Sequence, residues 1–195
     1  MAIDTASYAM EIQGGNGYVK EFVTHRLYRD AQVLPIWEGT SNILSLDLLR
    51  ALETEDAHEA LIPLISGYLD SVEHPALEPL RELVRTRFEI LQEAFLTLAT
   101  EDDDYAQHEA KELADLVFDV VTAAILLAKG QDRIDAEDDA REAIVARWFI
   151  EDRLDVQDGR GILDGDTLPI DHFEAVTRYA TLDPATLDAD EPTAY

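Results

Sequence analysis

The sequence predicts an all-α protein built as a helical bundle, and three observations carry that prediction. Apolar residues recur at helical spacing along most of the 195 residues. No stretch alternates apolar and polar residues in the manner of a strand. The breaks between apolar runs hold the glycine, hydroxyl and acidic residues that stop and start helices.

Each element follows in order. Residues 2 to 12 (AIDTASYAMEI) read as the last turns of a helix stopped at Gly14 and Gly15, where glycine supplies a left-handed turn. Residues 16 to 39 read as a long connection with short helical character around Glu21 to Arg29. Thr40 or Ser41 then caps a helix through Arg50, with Ile43, Leu46, Leu49 and Leu52 on one face. After a polar break from Glu53 to Ala57, residues 58 to 70 form a short amphipathic helix. Residues 76 to 99 set Leu77, Leu80, Val84, Phe88, Leu91, Phe95 and Leu98 on one stripe, a rod of about 36 Å. The run Glu101 to Asp104 starts the next helix, because negative charge complements a helix N-terminus. That helix buries Leu113, Leu116, Val117, Val120, Ala124 and Leu127 and is expected to end at Gly130. A helix over 136 to 154 turns Ile144, Trp148 and Phe149 inward. A glycine and aspartate loop over 156 to 168, a helix near Ile170 to Ala180 and a frayed end complete the chain. The change of character near residue 55 divides it into a segment 1 to 54, a helical region 55 to 182 and a disordered tail 183 to 195.

The apolar content of 47% is ordinary, but 15 Lys and Arg against 42 Asp and Glu leave a formal net charge of -27. An acidic, solvated surface over an ordinary core is the reading, as in a halophile whose salty cytoplasm screens self-repulsion. That charge argues against nucleic acid as a partner, since phosphate binding needs a basic patch. The absence of cysteine excludes disulfides and thiolate metal sites. No apolar run reaches membrane-spanning length and no signal peptide is visible, so a cytoplasmic protein without a membrane partner is expected. His25, His58, His74, His108 and His172 show no ligand spacing, and the acidic stretch holding Asp155, Asp158, Asp164 and Asp166 lacks the EF-hand order, so no metal site is expected.

The chemistry concentrates in residues 14 to 42, GGNGYVKEFVTHRLYRDAQVLPIWEGTSN. Gly14 and Gly15 suit either a helix stop or close backbone approach to a phosphate. Glu38 suits either a carboxylate complementing the dipole of the helix that follows or a general base. Thr40, Ser41 and Asn42 suit an N-cap cluster or ligand contacts. Arg29 and Asp30 read as a structural ion pair.

The string from G-G-N-G-Y to W-E-G-T-S-N resembles the C-terminal signature of the acyl-CoA dehydrogenases, flavoproteins that take hydrogen from the α and β carbons of acyl-CoA thioesters. The resemblance covers about residues 4 to 52. It implies Glu38 as the catalytic base, Gly39 beside the acyl-CoA, and Glu11, Gly14, Gly15, Thr40, Ser41 and Asn42 around FAD. Glu11 departs from the family, which often has glutamine there, and a carboxylate beside a pyrophosphate is repelled. Trp37 and the following S-L-D-L-L-R-A-L look most like the longer, AidB-like branch, with residues 55 to 195 as the counterpart of its helical C-terminal region. The family's N-terminal helical domain and β domain lie upstream of this signature, so a truncated chain is expected, active on acyl-CoA only with a companion polypeptide. The alternative is a non-enzymatic helical module for interaction or homo-oligomerisation.

Overall fold

The computed structural model describes residues 2 to 155 and 167 to 189. The described residues are helical and contain no strand, as the periodicity predicts. Three elements precede the bundle: α1 (Ala2–Ile12), the short α2 (Gly15–Tyr18) and α3 (Thr24–Trp37). The bundle follows as α4 (Ser41–Thr54), α5 (Ala57–Asp70), a 3-10 turn (Pro75–Leu77), α6 (Glu78–Thr100), α7 (Asp103–Glu137) and α8 (Arg141–Arg153). Short pieces α9 (Leu168–Asp171), α10 (Phe173–Thr177) and α11 (Ala185–Ala189) end the described chain.

Helix α7 is the spine, because α4, α5, α6 and α8 all pack on it. Its 35 residues give a rod of about 52 Å. Asp102 caps it, its Oδ1 accepting the Tyr105 N–H at 2.9 Å, and Asp103 and Asp104 place negative charge in the first turn. Ile65, Leu69, Val84, Leu91, Val120, Leu127, Ile144 and Ile150 are fully buried between these helices. The stripe expected along 76 to 99 is the one that packs: Leu77, Val84, Phe88 and Leu91 are core, and Leu80, Phe95 and Leu98 lie against it.

Several expectations are corrected. Helix α7 does not stop at Gly130 but runs on to Glu137 and ends where Asp138 turns left-handed (φ 53°). Gly130 is a packing glycine: a Cβ there would stand 2.9 Å from Ala143 Cα on α8. The helix placed at 136 to 154 therefore starts at Arg141. Residues 24 to 37 are helical rather than a connection, kinked where Pro35 takes non-helical angles (φ -83°, ψ 22°). On α4 the inward face is Ser45, Leu48, Leu49 and Leu52, while Ile43 and Leu46 face solvent. Docking on α7 turns the helix away from the stripe that its sequence suggests, and it joins residues 41 to 54 to the bundle across residue 55. The single helix expected near Ile170 to Ala180 is two pieces broken at His172 (φ -104°, ψ 4°), with Tyr179 left-handed beyond them (φ 56°). Arg29 and Asp30 form no ion pair among the described residues. The loop aspartates 158, 164 and 166 lie outside the described residues.

The chain around residue 182 meets the α7–α8 corner. Leu187 packs on the core, and Leu182 accepts the Ala140 N–H at 2.7 Å. Asp139, buried at the α7–α8 corner, accepts the N–H groups of Leu182 and Arg141, each at 3.0 Å. The Arg141 guanidinium lies over the Tyr179 ring at 5.1 Å. Burial alone would push the Asp139 carboxyl up; the N–H bonds from Leu182 and Arg141, with the charges of Arg141 and Arg133, outweigh it and hold the pKa below the usual range. A depressed folded-state pKa stabilises the fold above the unfolded value of about 3.9, and that contribution is lost as pH falls through the folded value. Asp139→Ala is expected to cost on the order of 1–3 kcal/mol at neutral pH by stranding two donors. Asp139→Asn keeps an acceptor but loses the charge, so its deficit against the parent should shrink below about pH 4. Denaturant melts across that pH range check both, and a deficit independent of pH would refute the charge argument.

Candidate functional site

The signature residues are set by a helical hairpin. Helix α1 stops where Gly14 turns left-handed (φ 57°), its N–H donating to the Glu11 carbonyl at 2.9 Å. A Cβ on Gly14 or Gly15 would meet nothing within 4 Å, so this turn is open to close approach. Gly17 has a different duty: a Cβ there would fall 2.3 Å from the Met10 carbonyl oxygen, and only glycine lets the chain fold back over α1. The sequence reading passed over Gly17 because its role is contact with a residue seven positions away. Thr24 Oγ1 then donates to Gln13 Oε1 at 2.7 Å, setting the start of α3 beside the end of α1. The two helices pack together, and α3 runs back along α1.

That topology separates the two halves of the signature. The 14 residues of α3 span about 21 Å, with the glycine turn at one end and Glu38 at the other. Glu11, Gly14 and Gly15 are therefore not brought together with Glu38, Gly39, Thr40, Ser41 and Asn42.

Glu38 is the C-cap of α3 (φ -106°, ψ 5°) and is exposed, beside an exposed Trp37. A carboxylate at the carbonyl end of a helix is disfavoured by the dipole. The same acid stands two residues before Thr40, the N-cap of α4, whose N-terminus favours negative charge, so complementing that dipole stays open as its role. Gly39 follows at φ 133°, a conformation that favours glycine, while a Cβ there would make only ordinary contact with Ile43 Cγ2 at 3.4 Å. Thr40 takes the extended N-cap conformation (φ -68°, ψ 161°) without a side-chain cap bond. The side chains of Thr40, Ser41 and Asn42 are exposed and make no hydrogen bond among the described residues. This junction therefore presents one carboxylate, two hydroxyls and an amide in five successive residues, with none of the described residues over them.

No group of three or more metal-ligating side chains occurs among the described residues. No described helix is long and apolar enough to cross a membrane.

Comparison with known proteins fits this segment. Residues 1–53 match the family described as "Acyl-CoA dehydrogenase, C-terminal domain". The acyl-CoA dehydrogenase family member 11 of Caenorhabditis elegans is 47% identical over 55 residues, 28% of this chain and 9% of that protein. The putative acyl-CoA dehydrogenase AidB of Escherichia coli is 51% identical over 47 residues, 24% of this chain and 9% of that protein. The short-chain specific acyl-CoA dehydrogenase of Bos taurus mitochondria is 58% identical over 38 residues, 20% of this chain and 9% of that protein. The chain thus spans about a tenth of the length of these relatives. No solved structure matches it. Residues 1–53 are C-terminal-domain sequence of the acyl-CoA dehydrogenase family.

Proposed function

We propose that residues 1 to 54 supply the base-bearing part of an FAD-dependent acyl-CoA dehydrogenase site. The observation that carries the reading is Glu38: an exposed acid at the carbonyl end of α3, followed by a left-handed glycine, inside the matched segment. In this reading Glu38 takes the α-proton of the thioester, and Gly39 leaves room for the acyl group beside it. FAD, when bound, accepts the β-hydride. Thr40, Ser41 and Asn42 offer hydroxyl and amide groups to it at one place, and Gly14 and Gly15 offer open backbone at another. The residues present fit as walls of such a site and not as the whole of it. A base for a carbon acid works best when desolvation raises its pKa, and none of the described residues covers Glu38. The remaining walls come from protein beyond these 195 residues, on a longer polypeptide, on a companion subunit or in a homo-oligomer.

The 195-residue chain by itself is accordingly expected to bind FAD only weakly, because a ligand touched on one side gains too little to offset its ordering cost. Stoichiometric yellow flavin in the purified chain would contradict this. The function itself is tested by joining the chain to the rest of a dehydrogenase and looking for acyl-CoA-dependent bleaching of bound flavin. An assembled flavoprotein that no acyl-CoA bleaches would refute it.

A further inference from the structure

A cavity of about 610 Å³ opens between α4, α5, α6 and α7, and none of the signature residues lines it. Its walls are apolar: Leu46, Leu49 and Leu52 from α4, Phe95 and Leu98 from α6, and Leu113 from α7. A second hollow of about 310 Å³ shares Leu98 and Leu113 with it. The volume is that of a small-molecule site. Its rim is charged unevenly. Glu53, Glu101 and Asp103 line it, and their side chains make no hydrogen bond or ion pair among the described residues. The basic side chains there are His58 and Arg50, and the Arg50 guanidinium is already matched by Asp47 at 2.8 Å and Glu55 at 2.6 Å. Three carboxylates without an ion-pair partner among the described residues, on a chain of net charge -27, repel a fatty acid or any other anionic amphiphile.

We propose that this cavity binds a hydrophobic organic cation, its apolar body among the leucines and Phe95 and its ammonium head at Glu53, Glu101 and Asp103. The apolar walls supply the affinity. The rim supplies the choice of charge, and that choice weakens as salt rises. The cavity shares no residue with the stretch 14 to 42, although its α4 wall belongs to the family-matched residues 1–53.

The test is calorimetric titration of the full chain, below their micelle concentrations, with octyltrimethylammonium, octanoate and uncharged octanol. The cation is expected to saturate at one per chain. Octanoate should bind at least about tenfold more weakly, the size that several partly screened charge contacts reach together. Octanol should fall between them, and molar KCl should narrow the spread. Ala99→Phe, an exposed position on the cavity wall, fills space without disturbing the core and should weaken all three ligands. The joint variant Glu53→Gln, Glu101→Gln, Asp103→Asn alters only exposed rim groups; it should abolish the preference for the cation and leave octanol binding in place. Octanoate binding as tightly as the cation, affinity untouched by Ala99→Phe, uptake of many cations per chain, or loss of helical circular dichroism on their addition would each overturn the proposal.

Discussion

Gly130→Leu is expected to destabilise the bundle by about 3 kcal/mol or more, while Gly67→Ala stabilises it, although both glycines lie inside helices. Gly130 faces Ala143 across the α7–α8 contact, where a Cβ would stand 2.9 Å from the Ala143 Cα and 3.1 Å from its N. Those are backbone atoms, and no rotamer change can move them aside. Gly130→Ala gains about 1 kcal/mol of helix propensity and meets an overpacking cost of about 1–3 kcal/mol, so a smaller net loss is expected. Leucine adds three more heavy atoms and must push α8 from the spine, together with the fully buried Ile144 and Ile150. At Gly67 a Cβ would meet nothing within 4 Å, and the propensity gain comes free. Guanidinium melts at constant high salt compare the three. Equal shifts of the same sign would show that the α7–α8 packing described here is wrong.

The bundle was legible where apolar residues repeat on one stripe, as from Leu77 to Leu98. It was misread where a single residue carries two meanings. Glycine stops helices, and Gly130 was read so; its reason for being there is Ala143, on a helix the sequence places only later. Proline ends helices, yet Pro35 lies within α3 at a kink, and reading it as a stop hid the helix. The stripe Ile43, Leu46, Leu49, Leu52 is a fair helix face, but the partner selects Leu48, Leu49 and Leu52 with Ser45, whose hydroxyl is satisfied by the Ser41 carbonyl at 2.8 Å. Which face is buried depends on the neighbour, and periodicity alone cannot supply that.

At the candidate site, the residue types and their spacing were readable, and residues 1–53 carry the family they suggested. Their separation was not. G-G-N-G-Y and W-E-G-T look like one motif on paper, and the Thr24–Gln13 bond that folds α3 back along α1 sets them at opposite ends of a hairpin. The clasp of Asp139 on Leu182 and the cavity under α4 left no trace in the sequence, since both join residues more than 40 positions apart.

That separation sharpens the remaining prediction. In an assembled dehydrogenase, Glu38→Gln should lower acyl-CoA oxidation by on the order of 10²- to 10⁴-fold or more, the usual loss for a positioned general base. Flavin affinity should stay nearly unchanged. Glutamine keeps the length and shape of the side chain but cannot accept the α-proton. Nothing in the fold resists the change: Glu38 is exposed between the carbonyl end of α3 and the N-terminus of α4, whose opposite dipole effects on its charge offset each other. Glu11→Gln should split the other way. Glu11 lies by the open glycine turn, at the other end of the α1–α3 hairpin from Glu38, so removing its repulsion for a pyrophosphate should tighten flavin binding and leave the chemical step alone. Anaerobic flavin bleaching reads the rate, and flavin titration of the stripped protein reads the affinity. A Glu38→Gln enzyme that bleaches at the parent rate would remove Glu38 from the chemistry. A Glu11→Gln enzyme slowed as much as Glu38→Gln, with unchanged flavin affinity, would mean that the two ends of the hairpin do not act on separate parts of the reaction.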